Sequence, residues 1–318
     1  MTVLWLVVAA AGVAVIVWGA ETFAEHLSVA STRLGVSVFA LAVLLAGAEP
    51  EELATAVTAS LRDAPAIAFG DVIGANVAIC LVALGVGALY APLPFDRQVR
   101  RYALAGLPAG ALAAWFAWDG RVGRADALIL VGVYVTFVGA IWMIERRPPV
   151  LGETSELDDA STRLGPPGGR VGRELLLVLA GVAAMAVGAS ALVEGIRRIS
   201  DVESTQTRLG LVVVGFATAF ELVVLARSAA RRGITAAVVA GVIGSYTYNV
   251  TMTLGAGALA KPLAISDAAQ LHVPWISMLA ALAVVIALAW PTLRLSRAAG
   301  AMCLGLYAVF VIVVVISG

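Results

Sequence analysis

Long apolar runs separated by short polar breaks fill almost the whole chain. A helix rises about 1.5 Å per residue, so about 20 apolar residues are enough to cross the hydrocarbon core of a bilayer. Ten runs reach or approach this length, and they lie at roughly 3–24, 35–60, 66–91, 102–118, 125–145, 173–197, 208–230, 234–260, 271–290 and 297–317. The pattern predicts an all-α polytopic membrane protein with ten transmembrane helices.

One long polar stretch interrupts this pattern. Residues 146–172 are rich in Pro, Gly, Glu and Asp, so we expect a loop between a first half, 1–145, and a second half, 173–318, of five helices each. With the N-terminus outside, the inward-facing segments carry 14 Lys and Arg residues and the outward-facing ones carry 7. Positive charge favours the cytoplasmic side, so we expect an outside N-terminus and a cytoplasmic loop in the cell membrane.

The composition supports this class of protein and excludes others. Hydrophobic residues make up 61% of the chain and charged residues 13%, whereas a soluble domain carries about 25% charge. Basic and acidic residues balance at 21 each, so no excess positive charge is available to bind nucleic acid. Cys80 and Cys303 both lie in apolar runs, which argues against a disulfide framework or a zinc site.

The two halves repeat each other at an offset of about 170 residues. Glu52 and Glu221 are each followed by leucine, and Gly74 and Gly244 each end a Val-Ile-Gly triplet. Each half contains five spans, an odd number, so the second copy would enter the membrane upside down. Inverted repeats of this kind are typical of secondary transporters, whose substrate sites lie near the midplane where the repeats meet.

Three carboxylates interrupt the second span, where Glu49, Glu51 and Glu52 flank Pro50. An acidic side chain at the bilayer centre costs about 2.5–3.5 kcal/mol on insertion scales, so we expect these residues to have a function. Pro50 removes a backbone donor and should free carbonyl oxygens beside the carboxylates, and Ca²⁺ and Na⁺ bind such oxygens. On a continuous helix Glu49 and Glu52 would share one face, with Glu51 pointing about 100° away.

The second half offers polar groups at matching places. Glu221 interrupts the seventh span, with Thr218 one turn earlier on the same face. In the eighth span Ser245, Asn249 and Thr253 recur every fourth residue and form one polar stripe. These residues are therefore candidate ligands from the other half of the protein.

The third span, which corresponds to the eighth, is less polar. Asp71 and Asn76 are the only polar groups near the equivalent stripe. Gly70 and Gly74 form a GxxxG pattern, which lets another helix approach closely. We expect these two glycines to have a packing role rather than a ligand role.

These landmarks resemble the calcium/cation antiporter superfamily, which includes sodium/calcium exchangers and cation/proton exchangers. Its repeats carry a Gly-Thr-Ser-x-Pro-Glu-Leu-x-Thr motif on the second and seventh helices and a Gly-Ser-Asn-type motif on the third and eighth. The segments that look like these motifs are Glu52-Leu53-Ala54-Thr55, Gly70-Asp71-Val72-Ile73-Gly74-Ala75-Asn76, Glu221-Leu222 and Gly241-Val242-Ile243-Gly244-Ser245. The resemblance implies ten helices in two inverted repeats, with helices one and six sliding past the core during alternating access.

The resemblance also implies a ligand set between helices two, three, seven and eight. The family's paired glutamates would correspond to Glu52 and Glu221, and the hydroxyl before the second glutamate would correspond to Thr218. Its eighth-helix ligands would correspond to Ser245 and Asn249. With the additional acids of the second span, the predicted metal-site residues are Glu52, Glu221, Asn249, Ser245, Thr218, Glu49 and Glu51.

Several positions depart from the family pattern. Glu49 adds a carboxylate, and the proline comes one position early, so Glu51 competes with Glu52 for the central role. Ile79 removes a polar ligand from helix three, and Asn249 is neutral where many sodium/calcium exchangers have an acid. Fewer sodium-type ligands and one more carboxylate favour H⁺ as the coupling ion, because clustered carboxylates can carry protons together. Na⁺ stays open as the alternative.

We therefore expect a secondary active antiporter that exchanges Ca²⁺, or a related divalent cation, for Na⁺ or H⁺. Inorganic cations would be its substrates and membrane lipids its surroundings, with a monomeric assembly, no nucleic-acid partner and no permanently bound cofactor. The alternatives are a non-transporting cation-binding scaffold or sensor and, less favoured, an intramembrane enzyme. We expect no enzymatic activity, because His26 and His272 are isolated in the sequence and no arginine is adjacent to the glutamates.

Overall fold

The structure is a computed structural model that describes residues 2–34, 49–145, 171–232 and 235–316. The described residues are almost entirely helical, with four strands of two residues each. Residues 35–48 of the predicted second span and residues 146–170 of the predicted central loop lie outside the described part of the chain.

The first half contains helices at each of the predicted spans that the structure describes. Its elements, in order, are α1 (Thr2–Leu34), α2 (Pro50–Leu61), α3 (Pro65–Ala78), the π-helical segment π1 (Ile79–Ala83), α4 (Leu84–Tyr90), β1 (Leu93–Pro94), α5 (Arg97–Phe116), β2 (Arg121–Val122) and α6 (Arg124–Glu145). The segment α3–π1–α4 is a single continuous helical stretch with one π turn, and it corresponds to the predicted third span.

The elements of the second half, in order, are α7 (Val171–Ile199), α8 (Glu203–Leu209), π2 (Gly210–Val214), α9 (Gly215–Thr218), α10 (Phe220–Arg232), α11 (Thr235–Tyr248), π3 (Asn249–Thr253), α12 (Leu254–Ala260), β3 (Leu263–Ala264), α13 (Ala269–Ala289), β4 (Arg294–Leu295) and α14 (Arg297–Ile316). From α10 onward they repeat the order of the elements from α2 to α6 in the first half. Helix α7 begins at Val171, so the last two residues of the predicted 146–172 loop are helical.

Seven helices of the described part are long and apolar enough to cross a membrane, judged by length and composition. They are Thr2–Leu27, Pro65–Tyr90, Arg124–Ile144, Gly172–Ile199, Glu203–Ser228, Ala269–Ala289 and Arg297–Ile316. The most apolar part of Pro65–Tyr90 is 89% buried, whereas the corresponding value for Thr2–Leu27 is 28%. The α3–π1–α4 segment therefore forms the centre of the protein, and α1 lies at its periphery.

Helices α1 and α7 pack closely along their length through small residues. A Cβ placed on Gly12 would lie 2.6 Å from the carbonyl oxygen of Gly188, and a Cβ on Gly19 would lie 2.8 Å from that of Gly181. Such small residues let two backbones approach without side chains between them. Because the residue numbers in contact rise on one helix and fall on the other, α1 and α7 run antiparallel.

A second close contact joins the centre of the first half to the second half. A Cβ on Gly70 would lie 2.7 Å from Cα of Gly210, and a Cβ on Gly74 would collide with the carbonyl group of Leu211. The packing role predicted for Gly70 and Gly74 is confirmed. This contact places α3 directly against π2 and α9, where Thr218 ends the helix.

Two short strand pairs connect the halves near the ends of the helices. Leu93 pairs with Leu295 in β1–β4, and Val122 pairs with Leu263 in β2–β3, both antiparallel. Each pair joins one strand of the first half to one strand of the second. The segments π1 and π3 begin 170 residues apart, as do β1 and β3.

Candidate cation-binding site

The three glutamates of the second span form one buried cluster at the start of α2. Each offers a carboxylate oxygen, and these oxygens lie within 4.8 Å of one another. Glu49 and Glu51 are 1% exposed and Glu52 is 0% exposed. Unpaired helix N–H groups give a helix N-terminus a partial positive charge, which favours carboxylates in the first turn.

Two predictions about this segment are wrong in detail. Pro50 does not interrupt the interior of a helix; it occupies the first position of α2, where a missing N–H group is tolerated. Glu51 does not point away from its neighbours, because Glu49 precedes the helix with φ −92° and ψ 85°, so helical spacing does not apply to it. All three carboxylates therefore meet, and both Glu51 and Glu52 belong to the cluster.

The eighth span brings its polar stripe to this cluster. Ser245 and Asn249 are both 0% exposed, and the carboxylate of Glu49 lies beside them and beside Glu52. The Ser245 hydroxyl donates to the carbonyl oxygen of Gly241 at 3.3 Å. These contacts bring together residues that are nearly 200 positions apart in the sequence.

The π turn of the eighth span begins at Asn249. The Thr253 hydroxyl donates to Oδ1 of Asn249 at 3.2 Å, while Nδ2 of Asn249 has no hydrogen-bond partner among the described residues. A π turn shifts the side chains that follow it relative to an α-helix. It therefore changes where Thr253 lies relative to Ser245 and Asn249.

Thr218 contacts a residue that the sequence analysis did not select. Its hydroxyl lies 3.0 Å from Oδ1 of Asp71 and 3.1 Å from the carbonyl oxygen of Val214. Asp71 is 0% exposed and comes from the centre of α3. The signal was present, because an acidic residue within an apolar span is the same criterion that selected Glu221.

Glu221 lies at the edge of this arrangement. It is the second residue of α10, beyond a helix break at Ala219, and it is half-buried. It interacts electrostatically with Glu49 and Glu51, and also with Glu21 of α1. Thr218 thus ends α9 and Glu221 lies in α10, with Ala219 between the two helices.

A pairing of Glu221 with Arg227 would have given Glu221 a purely structural role. The guanidinium of Arg227 instead lies over the ring of Tyr90, 5.3 Å from its centroid. Among the described residues, no salt bridge reaches the carboxylates of Glu49, Glu51 or Glu52.

Many carboxylate oxygens of the cluster accept no hydrogen bond from the described residues. Both carboxylate oxygens of Glu49 and of Glu52, one oxygen of Glu51 and Oδ2 of Asp71 have no hydrogen-bond partner in the described part of the chain. Buried carboxylates are strongly unfavourable unless they are paired. Ca²⁺ and other hard cations prefer anionic oxygen atoms as ligands.

These features define a helical membrane protein with a buried cluster of acidic side chains where its two halves meet. The profile of the sodium/calcium exchanger protein family matches residues 4–143 and 174–316, which is more than half of the chain. The chain therefore belongs to the sodium/calcium exchanger family, a family of membrane transporters, and the resemblance seen in the motifs is confirmed.

Individual relatives agree with this assignment. Inner membrane protein YrbG of Escherichia coli is 22% identical over 259 residues, covering 79% of this chain and 78% of YrbG. Sodium/calcium exchanger MaX1 of Methanosarcina acetivorans is 34% identical over 84 residues, covering 26% of this chain and 24% of MaX1. The structure of the sodium-calcium exchanger NCX_Mj, soaked with 10 mM Na⁺ and no Ca²⁺, superposes with a TM-score of 0.59 at 22% identity, covering 98% of this chain and 99% of NCX_Mj. The protein therefore shares the exchanger fold.

Proposed function

We propose that this protein is a secondary active antiporter that exchanges Ca²⁺, or a related divalent cation, for Na⁺ or H⁺ by alternating access. The buried cluster of Glu49, Glu51 and Glu52 beside Ser245 and Asn249 carries the proposal. Ca²⁺ takes about six to eight oxygen ligands and tolerates irregular geometry. The three carboxylates, the Ser245 hydroxyl and the Asn249 amide can together supply that number of oxygen ligands.

We propose ten transmembrane helices in two inverted five-helix repeats, with residues 1–145 and 173–318 as the halves and the segment 146–172 between them on the cytoplasmic side. The antiparallel packing of α1 against α7 supports this topology, since these helices begin the two halves. The 170-residue offset between π1 and π3 supports it as well. Inverted repeats allow two related conformations that open to opposite sides of the membrane.

In this mechanism α1 and α7 slide together past the core. Their contacts with each other through Gly12, Gly19, Gly181 and Gly188 are close and extensive, which favours movement as one unit. The segments α2, α3, α9 and α11 would stay in place and hold the cation. The half-buried Glu221, which interacts electrostatically with Glu21 of α1, would lie where the moving pair meets the core.

The proposed ligands are Glu52, Glu221, Asn249, Ser245, Thr218, Glu49 and Glu51. The glutamates supply the negative charge, and the hydroxyl and amide side chains supply neutral oxygens. Neutral Asn249 and the additional carboxylate of Glu49 favour H⁺ over Na⁺ as the coupling ion. We further propose a cell-membrane protein with an outside N-terminus, a monomeric assembly, inorganic cations as its substrates and no permanent cofactor.

Radioactive calcium uptake into proteoliposomes tests this function, with sodium and proton gradients imposed separately. Uptake driven by only one gradient identifies the coupling ion. We expect Glu221→Gln and Glu52→Gln to abolish uptake while the protein still inserts, because each removes a charged ligand. Asp119→Asn, which changes an exposed acid outside the cluster, is the matched control and should leave uptake unchanged.

Three outcomes would contradict parts of the proposal. Uptake at the wild-type rate in a folded Glu221→Gln protein would mean that Glu221 is not a cation ligand. Stabilisation of the protein by Ca²⁺ without uptake under either gradient would favour a scaffold or sensor, and turnover of a lipid substrate would favour an enzyme.

A further inference from the structure

We propose that Asp71 is a further cation ligand, which enters the site from α3 opposite the three glutamates of α2. The inference rests on the proposed function, because it assigns an additional ligand to the same site. It concerns a side chain that the motif-based ligand set does not contain. The cation class is the same hard divalent cation, with Ca²⁺ as the probe.

The position of Asp71 requires a specific reason. It is 0% exposed, and the glycines one residue before it and three residues after it pack against the backbone of π2. A charged side chain fixed at such a depth is costly unless it has a partner. Among the described residues, no Lys, Arg or His side chain forms a salt bridge with the carboxylate of Asp71.

Thr218 orients the carboxylate of Asp71. The Thr218 hydroxyl has one proton to donate, and Oδ1 of Asp71 at 3.0 Å is the charged acceptor among the oxygens in reach. This bond fixes the plane of the carboxylate and leaves Oδ2 without a hydrogen-bond partner in the described part of the chain. Thr218 thereby acts as a positioning residue for Oδ2.

A purely structural role accounts for only one of the two carboxylate oxygens of Asp71. Joining α3 to α9 through Thr218 needs one acceptor oxygen, and an asparagine would provide it without a buried charge. The second oxygen and the negative charge are then unexplained. Both are explained if Oδ2 binds a cation.

The charges of the cluster point to the same cation. Asp71 interacts electrostatically with Glu49, Glu51 and Glu52. Four carboxylates at this depth repel one another, and a divalent cation between them converts the repulsion into attraction. The glutamates belong to the start of α2 and Asp71 belongs to α3, so Asp71 would add an anionic ligand from a second helix.

Binding of CaCl₂ to the purified full-length protein tests this ligand. The apparent Kd is measured by the calcium-dependent rise in melting temperature for the wild type and for Asp71→Asn. Residues that only orient a metal ligand change affinity about 10- to 100-fold, so loss of a direct ligand should weaken calcium binding by at least about tenfold. Glu174→Gln removes another buried acid, which pairs with His26 between α1 and α7, and should leave the Kd unchanged.

The outcomes separate this inference from the proposed function. If calcium binds the wild type and Glu52→Gln abolishes binding while Asp71→Asn keeps the wild-type Kd, Asp71 is not a ligand and the proposed site stands. If calcium, strontium and manganese fail to stabilise the wild type, the proposed function fails together with the inference. A lower melting temperature for Asp71→Asn with an unchanged Kd would assign Asp71 a structural role only.

Asp71→Glu keeps the inference testable if Asp71→Asn does not fold. This variant retains the charge but moves the carboxylate by one methylene group. A direct ligand should then change the order of preference among Ca²⁺, Sr²⁺ and Mg²⁺, because cavity size and ligand position set that order. An unchanged order of preference would overturn the assignment.

Discussion

Neutralising one glutamate of the cluster should have opposite effects with and without a cation. The carboxylate oxygens of Glu49, Glu51 and Glu52 lie within 4.8 Å of one another. At an effective dielectric constant of about 20, each fully charged pair at that distance repels by about 3.5 kcal/mol. Glu52→Gln removes two such pairs, which is about 7 kcal/mol of repulsion if all three carboxylates are charged in the cation-free protein.

Protons bound within the cluster would reduce that repulsion, so we expect a smaller measured effect. Glu52→Gln should raise the free energy of unfolding without cation by roughly 1–3 kcal/mol, the usual size of a single-substitution effect. The same variant should lose the further stabilisation that CaCl₂ gives the wild type. Glu52→Gln would then stabilise the cation-free protein and remove the stabilisation by calcium. That combination is typical of a binding site whose charges lower the stability of the empty protein.

Thermal unfolding of the purified protein in chelator and in CaCl₂ measures both effects. Glu174→Gln is the control, because its carboxylate is paired with His26 at 2.7 Å. Breaking that pair should lower the melting temperature in both conditions. If Glu52→Gln also lowers the melting temperature in chelator and keeps the full calcium-dependent rise, the electrostatic reasoning about this cluster is refuted.

Two further predictions concern packing and charge. Gly74→Ala should destabilise the protein by about 1–3 kcal/mol or prevent folding, because the added Cβ meets the backbone of Leu211. Gly132→Ala is the control in the same thermal assay. It should be neutral or stabilising, because a Cβ at Gly132 would meet nothing within 4 Å among the described residues. Asn249→Asp should lower the cation-free melting temperature and strengthen calcium binding, because it adds a charge beside Glu49; weaker calcium binding in that variant would place Asn249 outside the site.

Periodicity alone placed most helices correctly. The predicted spans at 66–91 and 125–145 correspond to α3–π1–α4 and α6, because a long apolar stretch in a membrane must satisfy its backbone groups as a helix. The repeat offset also came from the sequence, since glutamates and glycines at fixed spacing are visible without coordinates. Short strands such as β1 and β3 were not predicted, because two residues leave no periodic signal.

Side-chain grouping in the site was only partly predictable. The sequence identified Glu49, Glu51 and Glu52, because charge within an apolar run is a local feature. It misplaced Glu51, because the prediction assumed a continuous helix through Pro50. It did not select Asp71, although an acid within an apolar span is the same local signal. The contact of Asp71 with Thr218, 147 residues away along the chain, is visible only in the structure.

The sequence by itself determined the class of the protein, the positions of its apolar helices and the acids that need a partner. Each of these follows from composition and spacing within a few turns of helix. Only the tertiary structure decided which acids meet, because the approach of α3 to π2 and α9 depends on backbone contacts at Gly70 and Gly74. That close approach places Asp71 against Thr218, and the distance between two side chains on different helices is a property of packing that no single segment encodes.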